Sequence, residues 1–435
     1  MKKITNRALS VLLIAALVIV GMTVYVLRYI DNGKSWAMTF SRANSGVSGT
    51  ITDRSGEVLA VFDETRSAYA EDALTRAACY HITGDYWGRS GSGVLSVYWD
   101  DMQSFSLLTG TTHAESAELR LTVDAALCRT AYASLLGQNG MGAVMVMNYR
   151  TGEVLCMVSA PSVDPLENNA EPPEGAFINR CLSSVFTPGS VFKLVTAAAA
   201  IETVPNMDTR QFYCENEYTI AGVDIHCTGP HYTQTFEQAL ANSCNIAFAQ
   251  IAVKVGQANM IEHVRAYGFL DRHELSGMRS AAGNYPLDFV GDPELGWAGI
   301  GQSTDVINPY AMLRYVSAIA NGGILVEPML VNDGKSAVKS RMLSSETAEK
   351  LKEMMAYNVS YAYEGDFRFT GLKLCAKTGT AELGGDLTSH AWFVGVLDDE
   401  KHPYAFVVLV ENGGGGLTVA SPIAYRVLQH CMRLE

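Results

Sequence analysis

The chain has 435 residues, of which 48% are hydrophobic and 18% charged, and a formal net charge of −13. That length leaves room for an ordinary globular domain plus a smaller one. The acidic balance, with no basic stripe to offset phosphate charge, argues against a nucleic-acid partner.

At the N-terminus, Lys2, Lys3 and Arg7 precede a run from Ala8 to Leu27 that carries no charged residue. Its length of about 20 residues matches the hydrocarbon thickness of a bilayer. A cleavable signal peptide has a shorter apolar core and a small-residue cleavage site, and no clear A-x-A follows this run. Residues 1–30 therefore read as a cytoplasmic tip and an uncleaved anchor. The basic residues keep the tip inside and place everything after about Ile30 outside the cytoplasm.

Residues 31–118 form a small, pedestal-like module rich in Gly, Ser, Tyr and Asp. Within it, Gly49 to Ala60 reads as strand, glycine turn, strand, with Asp53 and Arg54 expected as an ion pair in the turn. The larger domain spans 119–435. Leu121-Thr-Val-Asp124 looks like a strand end capped into an amphipathic helix over Ala125 to Leu136. Gly142 to Asn148 and Val154 to Ala160 read as a hairpin with apolar faces.

Thr187-Pro188-Gly189 leads into Ser190-Val-Phe-Lys193 and an apolar stretch to Ile201 whose only charge is Lys193. Pro just before a helix start, with an apolar run behind it, puts Ser190 at the N-terminus of a buried helix. There the macrodipole and unpaired N–H groups favour negative charge near the serine oxygen. A second S-x-x-K, Ser336-Ala-Val-Lys339, lies among Asp333, Gly334 and Ser340 and reads as an exposed loop. Ser243-Cys-Asn245 and Lys377-Thr-Gly379 each occur once and follow Ser190 in order. Together the three motifs supply a nucleophile with an amine at i+3, a second hydroxyl beside an amide, and a cationic strand.

Nine cysteines are an odd count, which excludes full pairing within one chain. Cys214 and Cys227 bracket a short polar segment that looks like a hairpin, and are the best disulfide candidates. Cys156, Cys244 and Cys375 read as small buried residues. No C-x-x-C or H-E-x-x-H occurs, so neither a metal site nor a cofactor is expected. Three late strands, Leu374 to Glu382, Ala391 to Leu397 and Tyr404 to Val410, precede a final helix with Ser421 as N-cap and Pro422 at N1. His390 and Trp392 read as supports for the neighbouring strand. Two strands early, three late and helices between imply an α+β fold, an antiparallel sheet packed by helices.

With these residues in hand, the chain resembles a penicillin-binding protein of the monofunctional, class B type. The likeness includes Thr151-Gly-Glu-Val-Leu155, Asn179-Arg180, Thr187 to Lys193, Ala239 to Asn245, Gly299-Ile-Gly-Gln302, Ala376 to Glu382 and Ala391-Trp-Phe-Val-Gly395. Val191 and Ala376 stand where the family more often has a small hydroxyl residue and Gly, and the juxtamembrane module is shorter than usual. The resemblance implies a serine β-lactamase/D,D-transpeptidase-like domain that cross-links peptidoglycan stem peptides and is trapped by β-lactams. It implies Ser190 as nucleophile, Lys193 as base, Ser243 as proton relay and Asn245 as a substrate-amide contact. Lys377, Thr378, Gly379 and Thr380 would hold the carboxylate of the D-Ala-D-Ala donor, with the N–H groups of Ser190 and Thr380 as oxyanion hole. It also implies a membrane glycosyltransferase of the shape–elongation–division–sporulation group as partner.

The rival readings are a hydrolase and a β-lactam-sensing receptor. A class A β-lactamase needs an E-x-x-x-N loop, and none lies between Ser243 and Lys377. Receptors of this type carry several membrane spans and usually a zinc-protease segment. A D,D-carboxypeptidase shares the first chemical step, and the motifs do not separate it from a transpeptidase.

Overall fold

The computed structural model describes residues 2–44, 48–62, 67–86, 88–99, 101–106, 110–113, 117–138, 140–167, 171–286, 288–289, 291–332, 334, 337–385 and 387–434. Ser336 of the second S-x-x-K lies outside them. The chain divides into two compact units. Met1–Thr50, Ala60–Ala68 and Tyr98–Glu118 form one; Ile51–Leu59, Tyr69–Val97 and Leu119–Glu435 form the other.

In the smaller unit a single helix runs over Lys2–Asn44. Its Ile4–Ile30 stretch, 27 residues, is long and apolar enough to cross a membrane, and none of it is buried. Gln103–Ser106 and Gly110–His113 pair as an antiparallel hairpin.

Residues 51–59 and 69–97, read from sequence as part of the juxtamembrane module, fall in the larger unit. Side-chain bonds explain why. Asp53 does not pair with Arg54 as expected; its carboxylate accepts from the backbone N–H groups of Ser55, Glu57 and Ala125 at 2.8, 2.8 and 3.1 Å. Arg76 meets Asp164 at 2.6 Å, and Arg129 meets Glu57 at 2.7 Å. These bonds tie both segments to residues that follow Leu119.

The larger unit is built on a five-stranded antiparallel sheet in the order Leu374–Ala381, His390–Leu397, Tyr404–Val410, Gly142–Asn148, Val154–Ala160. Every residue of Tyr404–Val410 and Val154–Ala160 is buried. Both faces are therefore covered, which is why these strands read as continuous apolar runs rather than alternating ones. The helices Ala125–Leu136 and Ser421–Cys431 pack on each other and on the sheet, and Pro309–Ala320 packs on the central strands. Asp124 caps the first of these helices, accepting from Leu127 N–H at 2.7 Å. Ser421 is not a cap: a preceding π-turn over Gly416–Ala420 makes it the first helical residue, and its hydroxyl bonds back to Leu417 O at 2.7 Å. Arg180 and Glu411, both largely buried, pair at 2.7 Å and fasten the loop ahead of Ser190 to the end of a central strand.

Leu374–Ala381 is an edge strand, and its Lys377-Thr-Gly379 segment faces the turn that carries Ser190. A Cβ on Gly189, whose φ is +55°, would lie 2.8 Å from Thr380 O. One on Gly301 would lie 2.2 Å from Gly189 O. Glycine at both positions is what lets three segments close on Ser190.

The cap on Ala125–Leu136 offers a test. Asp124→Ala is expected to destabilise the domain by about 1 kcal/mol, seen as a lower midpoint in thermal unfolding. Asp124→Asn, which keeps an acceptor, should recover most of the loss.

Candidate functional site

Ser190 sits in a 3₁₀ turn, Gly189–Phe192, that runs directly into the helix Lys193–Thr203. The i+3 spacing brings Lys193 Nζ within 3.0 Å of Ser190 Oγ. Ser243 adopts a left-handed φ of 53°, and Cys244 then caps the helix Asn245–Val255. That sharp turn points three groups of one short segment at the same amine. Lys193 Nζ lies 2.6 Å from Ser243 O, 3.3 Å from Ser243 Oγ and 2.7 Å from Asn245 Oδ1. The other end of the Asn245 amide donates to His226 O at 3.1 Å, so its orientation is fixed.

Lys377 closes the constellation from the edge strand, donating to Ser243 Oγ at 3.0 Å and to Thr378 O at 2.9 Å. Ser243 Oγ thus stands between two amines. Both lysines are fully buried. Burial lowers Lys193 to about 8, against the opposing pull of the Cys244 and Cys227 thiols. Burial, and then the charge of Lys193, hold Lys377 well below the ordinary lysine range.

A neutral amine has two N–H donors and one lone pair. At Lys193 the two shortest contacts, to Ser243 O and Asn245 Oδ1, take the donors, and the lone pair is left for the Ser190 hydroxyl to donate into. The geometry suits a base. It does not require a charged lysine.

A cleft of about 440 Å³ opens above these groups, lined by Ser190, Ser243, Asn245, Thr378, Thr380 and Glu382 among others. Thr378 and Thr380, two residues apart on a strand, share its face. Gly379 between them is buried and leaves no room beneath: a Cβ there would sit 3.0 Å from Pro188 O and from Val191 Cγ1. A larger concavity of about 730 Å³, lined by Arg210, Tyr218, Lys254 and Asp292, holds none of the motif residues.

All eight residues singled out from the motifs therefore meet at one place. His390 and Trp392 are not among the residues that line the cleft. Trp392 is buried and donates to Thr187 O at 3.0 Å, and His390 stacks edge-on against Phe186. Sequence reasoning missed Tyr363, whose hydroxyl accepts from Thr378 N–H at 3.1 Å and lies 3.2 Å from Thr378 Oγ1. It also missed Asn358, which donates to Ala376 O at 3.0 Å. Both follow the helix Ser345–Tyr357 in an aromatic stretch without periodic pattern, and no motif marks them. The Cys214–Cys227 disulfide is not formed: both are thiols, and each lies beside His231 Nδ1, at 3.6 and 3.5 Å. Cys156, Cys244 and Cys375 are buried, as read.

Comparison with known proteins points to one family. Residues 142–429 match the family described as penicillin binding protein transpeptidase domain. The chain is 29% identical over 334 residues to the peptidoglycan D,D-transpeptidase PbpA of Mycobacterium tuberculosis, covering 68% of this chain and 67% of that one. It is 28% identical over 316 residues to stage V sporulation protein D of Bacillus subtilis, covering 67% of this chain and 49% of the relative. Among solved structures, penicillin-binding protein A from M. tuberculosis as a ceftriaxone acyl-enzyme superposes with a TM-score of 0.75 at 22% identity, covering 90% of this chain and all of that one. Penicillin-binding protein 2 of Pseudomonas aeruginosa superposes with a TM-score of 0.73, also at 22% identity, over 90% of this chain and 97% of that one. With the family matched across most of the chain and its three motifs gathered around one cleft, the protein belongs to the penicillin-binding protein transpeptidase family.

Proposed function

We propose that this protein is a peptidoglycan D,D-transpeptidase working through an acyl-enzyme on Ser190. The observation that carries the reading is the position of Lys193 Nζ, 3.0 Å from Ser190 Oγ, with Ser243 O and Asn245 Oδ1 placed to take both donors of the neutral amine. Ser190 Oγ attacks the carbonyl of the penultimate D-Ala while Lys193 takes its proton. The oxyanion is held by the N–H groups of Ser190 and Thr380, each donor contributing about 3 kcal/mol. Ser243 passes a proton to the leaving amine, and the terminal D-Ala departs. An amine from a neighbouring stem then attacks the acyl-enzyme, releases Ser190 and completes the cross-link. β-Lactams acylate the same oxygen and stay.

Lys377, Thr378 and Thr380, set around Gly379, bind the donor's carboxylate, and Asn245 both orients Lys193 and meets the substrate amide. The two lysines settle their protonation through the substrate. A carboxylate arriving against Thr378 and Thr380 favours the proton on Lys377 and leaves Lys193 neutral. A class A β-lactamase route lacks its usual base, since no E-x-x-x-N loop lies between Ser243 and Lys377; a D,D-carboxypeptidase remains the alternative.

Lys2, Lys3 and Arg7 ahead of the apolar helix support a single-pass anchor with the catalytic unit outside the cytoplasm. The helix and juxtamembrane module support docking to a membrane glycosyltransferase of the shape–elongation–division–sporulation group. Swapping residues 8–30 should abolish co-purification with that enzyme while penicillin labelling persists; unchanged co-purification in anchor and module swaps would sink the partnership.

Fluorescent penicillin is expected to label the wild type and Ser336→Ala but not Ser190→Ala. Label retained in Ser190→Ala would overturn the assignment. With a D-Ala-D-Ala stem peptide and an acceptor amine, cross-linked product should exceed trimmed peptide; trimmed peptide alone would make the enzyme a carboxypeptidase.

The acylation rate should depend on pH in a set direction. Below about 8 Lys193 is protonated and has no lone pair, so the rate is low. Above it the amine is neutral, and the rate should rise about tenfold between pH 7 and 9 before levelling. Lys193→Ala should lower acylation by about 10² to 10⁴-fold. A flat profile over that range in the wild type would rule Lys193 out as the base.

A further inference from the structure

Next to the catalytic turn lies a second cluster that the transpeptidase chemistry does not use. Cys214, Cys227, His231 and Cys244 bring three sulfurs and one imidazole nitrogen within 4.8 Å of one another. Cys214 ends the strand Gln211–Cys214, and Cys227 follows the strand Val223–His226. His231 precedes the strand Tyr232–Thr235, whose first residue pairs with Cys214. Cys244 is the middle residue of Ser243-Cys-Asn245.

Tetrahedral zinc bonds, about 2.3 Å to sulfur and about 2.0 Å to nitrogen, put ligand sulfurs about 3.8 Å apart and sulfur and nitrogen about 3.5 Å apart. Three of the six pairs already have these separations, and the others lie within 4.8 Å. Cys227 Sγ lies 3.9 Å from Cys244 Sγ, and His231 Nδ1 lies 3.6 Å from Cys214 Sγ and 3.5 Å from Cys227 Sγ. The surroundings are those of thiolates. Asn245 N–H donates to Cys227 Sγ at 3.3 Å and Ala247 N–H to Cys244 Sγ at 3.4 Å, which stabilises negative charge on sulfur and fixes its direction. A disulfide would consume two of the four donors and leave the remaining thiol and His231 with nothing to bind.

We propose that these four residues form a structural zinc site of the Cys₃His type that fastens the Ser243-Cys-Asn245 turn to the hairpins flanking the cleft. Three soft sulfurs and an imidazole in tetrahedral array select Zn²⁺ over hard, oxygen-preferring cations. Four protein ligands complete its coordination, so the ion holds structure and activates no water. On binding, the three thiols give up their protons to solvent and the imidazole ligates in its neutral form. The ion joins Cys244, flanked by Ser243 and Asn245, to Cys227, which lines the same cleft beside His226. The site itself is independent of the transpeptidase reading. Only its consequence for acylation rests on it.

The test uses the full-length chain, purified in detergent with a tag that carries no histidine or cysteine. Elemental analysis is expected to find one zinc per chain, and zinc-edge X-ray absorption a first shell of three sulfurs and one nitrogen. Cobalt incorporated during expression should give a thiolate-to-cobalt charge-transfer band with tetrahedral ligand-field absorption, a readout that needs no substitution. His231→Ala should lose the metal and His231→Cys should keep it, which separates ligation from mere misfolding. Stripping the zinc should slow penicillin labelling about tenfold, with recovery on adding zinc back. Wild-type protein without stoichiometric zinc would overturn the proposal, as would a chain two hydrogens lighter with Cys214 joined to Cys227. If zinc is present but Ser190→Ala still labels, the metal site stands and the transpeptidase reading falls.

Discussion

Two lysine amines buried against one serine hydroxyl are the constraint on which the rest of the site depends. Lys193 and Lys377 reach Ser243 Oγ at 3.3 and 3.0 Å, so their nitrogens are no more than about 6 Å apart. At an effective dielectric constant of about 20, two unit charges at that distance repel by about 3 kcal/mol. Burial adds to this, since neither side chain is exposed. Both effects push in one direction, toward the loss of one proton from the pair. Burial brings Lys193 down to about 8 and Lys377 well below the ordinary lysine range, and among the described residues no histidine or carboxylate hydrogen-bonds Ser190 Oγ. The pair is also a means of coupling. Whatever anion binds beside Lys377 biases the shared proton toward it and so prepares Lys193, which makes substrate recognition and activation of the nucleophile one electrostatic event.

Such a pair needs a rigid frame, because displacement of either amine by an ångström would let water in and restore both charges. The frame comes from the sheet and from close backbone contacts. Lys377 rides on an edge strand whose neighbour, His390–Leu397, is buried from Ala391 onward, and Asn358 and Tyr363 bond to that strand at Ala376 and Thr378. Ser190 is held between Thr380 and Gly301 by glycines at 189 and 301, with Gly189 N–H bonded to Gly301 O at 2.9 Å. The edge position of the strand leaves one row of backbone groups without a sheet partner, and Asn358, Tyr363 and Lys377 take those at Ala376 and Thr378.

What could be read from the sequence follows from how local each signal is. Helix Ala125–Leu136 and its Asp124 cap, and all five sheet strands, are written in short windows of apolar pattern and cap chemistry, and the structure places them within a residue of the expected bounds. Ser190 was separable from Ser336 because an apolar helix follows only the first. Features that depend on distant partners were not legible. Asp53 beside Arg54 suggests a pair, yet the backbone of Ala125, 72 residues away, takes the carboxylate. Tyr363 finds Thr378 only through the fold. Ser421 before a proline looks like a cap, but the π-turn ahead of it moves the helix start by one residue. The grouping of Cys214, Cys227, His231 and Cys244 was not legible for the same reason: Cys214, the Cys227/His231 segment and Cys244 are brought together only by the fold.

The turn at Ser243 shows why a second anchor belongs there. A non-glycine residue at φ 53° costs about 1–3 kcal/mol, and the turn is retained only if its surroundings fix it. The lysines do part of this, yet they are the groups whose charge changes during the reaction, and a support whose strength varies with protonation state is a poor one. Bonds from Cys244 do not share that weakness. Its sulfur caps the following helix through Ala247 N–H, and zinc ligation would join it to Cys214, Cys227 and His231 on the neighbouring hairpins, a link insensitive to which lysine holds the proton. Separating the parts that titrate from the part that would hold them keeps Ser243 Oγ between the two amines while its own backbone stays in a conformation it would otherwise leave.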